Sequence, residues 1–132
     1  MALGKHWLIE LHGCDRVRIS VPGGVREAML AAARACRATV VAEVFHQFSP
    51  YGVSGVVVIA ESHLAIHTWP EHGFVAVDLF TCGESLDAES GIELLRESFG
   101  AQRIEVMTAD RGVGVRLLGD QIPPAVISPH AG

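Results

Sequence analysis

The chain has 132 residues, enough for one buried core and too few for two. A net charge of −5, with basic residues scattered apart from a loose group at Arg16, Arg18 and Arg26, excludes a protein that tracks a nucleic-acid backbone. No stretch reaches the ~18 apolar residues of a membrane-spanning helix, and in MALGKHWLIELHG polar His6 and Glu10 interrupt the only early apolar run, so a cytoplasmic protein is expected.

Hydrophobic residues make up 49% of the chain against 19% charged, which is rich for a soluble monomer and predicts that a second copy covers part of the apolar surface. Three cysteines, Cys14, Cys36 and Cys82, are an odd number without paired spacing and read as reduced thiols.

In chain order, Gly4 to Leu11 reads as a first strand ended by His12-Gly13-Cys14-Asp15. A break at Pro22-Gly23-Gly24 precedes a helix from Val25 to Cys36, with Met29, Leu30, Ala33 and Cys36 as its buried stripe. Thr39 to Phe48 is β-branched and alternating, hence a strand, broken by Ser49-Pro50-Tyr51-Gly52. Ser54 to Ala60 is a near-continuous apolar run, expected as a central strand covered on both sides. A hairpin follows, Ser62 to Trp69 and Phe74 to Cys82, turning on Pro70-Glu71-His72-Gly73. Gly83 to Glu89 reads as a turn and helix start, Ser90 to Phe99 carries Ile92, Leu94, Leu95 and Phe99 at helical spacing, and Gly100 is a carboxyl-terminal cap. Arg103 to Ala109 returns as a strand before a glycine- and proline-rich tail. Two helices with about six strands in adjacent hairpins predict an α+β two-layer sandwich, one antiparallel sheet covered by the helices, as a single domain over 1–132.

The hairpin concentrates the reactive side chains. A turn centred on Pro70 to Gly73 sets Trp69 opposite Phe74, His67 opposite Ala76, Ala65 opposite Asp78, His63 opposite Phe80 and Glu61 opposite Cys82. Alternation then puts Leu64, Ile66, Val75, Val77 and Leu79 on an apolar face, and His63, His67, Asp78 and Cys82 on the other. Ser62 with His67 suggests a serine hydrolase, but no G-x-S-x-G elbow surrounds the serine. Cys82 with His67 suggests a thiolate nucleophile. His63, His67, His72 and Cys82 have zinc chemistry, yet residues 63 and 67 of one strand stand ~13 Å apart, too far for two ligands, and no metal is expected.

YGVSGVVVIAESHLAIHTWPE followed by GFVAVDLFTCG closely resembles prokaryotic S-adenosylmethionine decarboxylase proenzymes, and the resemblance runs from Gly4-Lys5-His6 to about Arg111. It implies self-cleavage of the Glu61-Ser62 bond into fragments 1–61 and 62–132, with Ser62 converted to a pyruvoyl group that forms a Schiff base with the substrate. By the same resemblance, Ser62 attacks the Glu61 carbonyl, Ser54 assists processing, His67 accepts the proton during processing, and Cys82, as a thiol, donates the proton in decarboxylation. Phe48 matches the ring against adenine, Glu71 the acid on the ribose hydroxyls, and Leu64 a backbone-contact position. The implied activity converts S-adenosylmethionine to an aminopropyl donor for spermidine synthesis, in a homodimer of cleaved protomers with sites at the subunit interface. Arginine or ornithine decarboxylation on the same scaffold is the competing expectation, because pyruvoyl chemistry is indifferent to the side chain. An unprocessed homologue that binds without cleaving is a further one, opposed by the presence of Ser62, His67 and Cys82.

Overall fold

The structure, a computed structural model, describes residues 2–82 and 85–114. Its strands are β1 (Gly4–His12), β2 (Thr39–Gln47), β3 (Val53–Ala60), β4 (Ser62–Trp69), β5 (Phe74–Thr81) and β6 (Arg103–Arg111), and its helices are α1 (Pro22–Ala35) and α2 (Ala88–Phe99). The strands form one sheet in the order β2-β3-β4-β5-β1-β6, every neighbouring pair antiparallel. Both helices lie on one face, giving the two-layer α+β sandwich that the sequence predicts.

Side-chain alternation decides which face that is. Ile9 and Leu11 of β1, Val53, Val57 and Ile59 of β3, Leu64 and Ile66 of β4, and Val75, Val77 and Leu79 of β5 are buried in one cluster with Val25, Met29 and Ala32 of α1 and Leu95 and Phe99 of α2. Each full burial of such a side chain contributes about 1.5–3 kcal/mol. The helices approach closely because α1 is alanine-rich and Gly91 of α2 has no side chain: a Cβ there would stand 2.2 Å from Cys36 Sγ. Gly55 plays the same part on the sheet, with the Phe45 ring lying 2.1 Å from where its Cβ would be.

Several boundaries differ from the sequence reading. Helix α1 starts at Pro22, ahead of the expected Val25. Proline is pre-set for the first helical position and its missing N–H falls where helices leave N–H groups unpaired, so Pro22-Gly23-Gly24 begins the helix and does not precede it. Helix α2 starts at Ala88 because Asp87 caps it, accepting the Ser90 N–H at 3.1 Å, and it ends at left-handed Gly100 as expected. Strand β6 extends to Arg111 through its pairing with β1, while β5 stops at Thr81 and the turn proposed at Gly83 lies partly outside the described residues, as does the tail from 115.

The larger correction concerns β3. It is flanked by β2 and β4, but only one face is covered: Val53, Val57 and Ile59 are buried whereas Val58 is 41% exposed. No described element packs on the opposite face of the sheet, which carries the exposed Val44, Val58, Trp69 and Met107. No described helix is long and apolar enough to cross a membrane.

Candidate active site

The β4–β5 register is the one the sequence predicts: Trp69 pairs with Phe74, His67 with Ala76, Ala65 with Asp78 and His63 with Phe80. The pairing ends at His63 and Phe80, short of the expected Glu61–Cys82 pair. The connecting residues Pro70–His72 form one 3-10 turn closed by left-handed Gly73, whose carbonyl accepts the Cys14 N–H at 2.8 Å and ties the hairpin to the segment after β1.

Two rows of side chains cross the uncovered face. The first runs His46, Ser54, His67, Ala76 and Glu10 over strands β2, β3, β4, β5 and β1. Within it Ser54 Oγ and His67 Nδ1 share a hydrogen bond of 2.9 Å. The neighbouring Thr68 points into the core, where its hydroxyl accepts from the Val53 N–H and donates to the Ile19 carbonyl, each at 2.9 Å. That anchoring leaves His67 and Trp69 facing outward. A pocket of about 220 Å³ opens beside this row, lined by Phe48, Tyr51, Ser54, His67, Trp69 and Glu71.

The second row, Val58, His63, Phe80 and His6, crosses the other end of the sheet. Phe80 lies between two imidazoles, with ring centroids 6.0 Å from His63 and 5.5 Å from His6. Beyond it stand Ser62, first residue of β4, and Cys82, just after β5. Ser62 Oγ is buried and has no hydrogen-bond partner among the described residues. Cys82 is exposed and borders a second cavity of about 890 Å³, with Gly4, Lys5, Trp7 and Thr81 among its walls. The other two thiols differ in kind. Burial pushes Cys14 up to about 11, and burial with the nearby Asp87 carboxylate pushes Cys36 up to about 11, so both are inert packing groups.

The sequence-predicted residues therefore fall into two groups. Ser54, His67, Phe48 and Glu71 are together at one end of β4; Ser62 begins the other end, next to Glu61 in the tight turn from β3, and Cys82 follows the end of β5. Ser62 and His67 are adjacent in sequence terms but five strand residues apart, roughly 16 Å at 3.3 Å per residue. Leu64 has its side chain in the helix-facing core, 1% exposed, so it offers only backbone to a ligand. Sequence reasoning missed Trp69 and Tyr51 as walls of the small pocket. For Trp69 the signal was present, since it shares strand parity with His67.

The comparisons with known proteins accord with this geometry. The family model described as S-adenosylmethionine decarboxylase matches residues 5–112. An S-adenosylmethionine decarboxylase proenzyme of Pseudomonas paraeruginosa is 52% identical over 117 residues, 89% of this chain and 73% of its own length. Proenzymes of the same description from Acidithiobacillus ferrooxidans and Thermotoga maritima are 49% and 48% identical over 111 residues, in each case 84% of this chain, and cover 84% and 85% of their own lengths. The crystal structure of the adenosylmethionine decarboxylase from Aquifex aeolicus superposes with a TM-score of 0.78 at 36% identity, covering 85% of this chain and 92% of that one. With the fold, the hairpin register and the matched length in agreement, this chain belongs to the S-adenosylmethionine decarboxylase family.

Proposed function

We propose that this protein is a self-processing S-adenosylmethionine decarboxylase whose Glu61-Ser62 bond is cut to leave a pyruvoyl group at residue 62, and that each active site is shared by two copies of the chain. The observation that carries the reading is the Ser62 hydroxyl, buried and without a hydrogen-bond partner among the described residues, at the start of β4 and one residue past the tight turn. An orphaned hydroxyl costs about 1–3 kcal/mol, and a nucleophile awaiting conversion is a physical reason for keeping it. The pyruvoyl group, once formed, supplies an electrophilic carbonyl that condenses with the substrate amine and accepts the electrons released with carbon dioxide.

What the chain's own residues contribute follows from their positions. In processing, Ser62 Oγ attacks the Glu61 carbonyl and the Glu61–Ser62 C–N bond breaks, leaving an ester and a free Ser62 amine. An imidazole must then remove the Ser62 α-proton so that the Glu61 carboxylate leaves, and hydrolysis of the resulting dehydroalanine gives the pyruvoyl carbonyl and ammonia. The imidazole is His67, oriented by Ser54 through the Nδ1 hydrogen bond, which leaves Nε2 as the working nitrogen. About 16 Å separates that ring from Ser62 of its own chain, so the base comes from the second copy. The bare sheet face, with Val44 66% and Met107 54% exposed, is the surface that copy covers. Two-fold pairing of this face brings the His67 end of one sheet against the Ser62 end of the other.

The same pairing completes the binding site. A pocket of about 220 Å³ is smaller than the ~300–1,000 Å³ of ordinary small-molecule sites, and it stands remote from Ser62 of its own chain. Set against the partner's Ser62 and Cys82, it gives a nucleoside half and a reacting half. Phe48 and Trp69 provide aromatic walls for the adenine and for the sulfonium cation, Glu71 receives the ribose hydroxyls, and the −5 net charge favours approach of a cation. Cys82 carries its proton as a thiol to the carbon left by carbon dioxide.

The relatives' names favour S-adenosylmethionine over arginine or ornithine as substrate. The product is an aminopropyl donor for polyamine synthesis. Mass spectrometry of the purified chain tests the cleavage: fragments 1–61 and 62–132, the second with a blocked amino terminus, are expected, and Ser62→Ala stays whole. Assay of carbon dioxide release from S-adenosylmethionine, arginine and ornithine tests the substrate, and release from either amino acid but not from S-adenosylmethionine overturns the reading.

A further inference from the structure

Phe48 lies just beyond the end of β2 and is 52% exposed, so little of its ring is fixed by the core. Its aromatic neighbour is His46, two residues back, whose ring stands edge-to-face with it at a centroid distance of 4.6 Å and an interplanar angle of 71°. His46 is itself exposed, lies opposite Ser54 in the β2–β3 register, and is used by neither the processing chemistry nor the proton delivery described above. The Phe48 N–H donates to the Gly52 carbonyl at 2.8 Å, which fixes the backbone of this corner and leaves the side-chain torsions to be set by contact. Trp69, another exposed ring of the pocket, is comparably held by Phe74 at 5.5 Å and His67 at 6.2 Å.

We propose that His46 is a positioning residue for nucleoside recognition: its imidazole holds the Phe48 ring at the angle at which the ring's face meets the nucleobase. This rests on Phe48 being the nucleobase wall. An exposed phenylalanine without such a neighbour distributes over several rotamers, and a ligand that stacks on it must first collect them into one. The edge-to-face contact does this in advance, because the electropositive ring edge prefers the electronegative face of its neighbour. What His46 supplies is therefore an aromatic ring in edge-to-face contact, and any ring of similar size at that position serves, whereas a polar side chain without a ring does not.

The test is equilibrium binding of 5′-deoxy-5′-methylthioadenosine, a neutral nucleoside thioether with no amine to react at residue 62, to the purified full-length protein. His46→Ala and His46→Gln are each expected to weaken binding by about 3- to 10-fold, the range for one edge-to-face aromatic pair, and His46→Phe to retain it within about 2-fold of the parent. In turnover of S-adenosylmethionine the same loss falls on KM and not on kcat. Phe48→Ala is the control and is expected to weaken binding at least as much as His46→Ala. If Phe48→Ala weakens binding and His46→Ala does not, or if His46→Phe is as weak as His46→Ala, the positioning role is wrong. If Phe48→Ala leaves binding unchanged, the nucleobase wall itself is misassigned and the positioning role falls with it.

Discussion

A mixed-dimer experiment distinguishes a shared site from one contained in a single chain. Ser62→Ala removes the nucleophile and His67→Ala removes the base, so neither chain alone completes cleavage; loss of a general base costs about 10²- to 10⁴-fold. Within one chain the two residues are separated by five strand positions, roughly 16 Å, against the ~3 Å that proton abstraction requires. In a two-fold dimer that exchanges sheet ends, the His67→Ala chain keeps its own Ser62, and the partner, Ser62→Ala, delivers an intact His67 to it. Co-expression of the two chains with distinguishable tags and random pairing places about half of the His67→Ala chains in mixed dimers. About half of all His67→Ala chains should then appear as fragments 1–61 and 62–132 by intact mass, with every Ser62→Ala chain uncut. Isolation of the doubly tagged dimers should raise the cleaved fraction of His67→Ala chains towards completion. If His67→Ala chains in verified mixed dimers remain whole, the shared-site reasoning is refuted.

Four further outcomes follow from particular contacts. Ser54→Ala removes the 2.9 Å bond that orients His67 and is expected to slow self-cleavage by about 3- to 10-fold, the equivalent of one neutral hydrogen bond, as read from a time course of intact mass; an unchanged rate removes Ser54 from processing. Gly55→Ala forces a methyl into the Phe45 ring, 2.1 Å away, and should destabilise the fold by about 1–3 kcal/mol in urea unfolding, with Phe45→Ala in the same chain recovering part of the loss. In the folded protein iodoacetamide should label Cys82 and spare Cys14 and Cys36, whose thiols burial holds at about 11; labelling of Cys36 as fast as Cys82 contradicts the packing of α1 on α2. Asp87, held below the ordinary carboxylate range chiefly by the Ser90 hydroxyl and then the Ser90 N–H, stabilises the start of α2 only while ionised. Because its folded-state value is depressed, that contribution is complete above the ordinary value of 3.8 and fades as pH falls below it. Asp87→Ala should therefore lower Tm at neutral pH, with the difference from the parent shrinking below that value.

The sequence by itself determined the hairpin register, the two faces of its strands and the fold class. Period-2 alternation and the Pro70 to Gly73 turn leave a single pairing that buries Leu64, Ile66, Val75, Val77 and Leu79 together, and the structure has that pairing. The resemblance of the chain's motifs to a known family also set the roles expected of Ser62, His67 and Cys82. Helix starts were less legible, since Pro22-Gly23-Gly24 is equally good as a loop or as a first turn until something packs against it. What only the tertiary structure decided is distance and coverage. Apolar content is blind to which neighbour hides a residue, so β3 read as doubly covered when, among the described residues of its own chain, nothing packs on its second face. Nearness in sequence likewise made Ser62 and His67 look like partners, whereas an extended strand carries its residues apart at about 3.3 Å each. The pairing of Ser54 with His67, and the gathering of Phe48, Trp69 and Glu71 around them, required β2, β3 and β4 to be laid side by side. A strand's own pattern says which way each side chain points; only the assembled sheet says what it meets there.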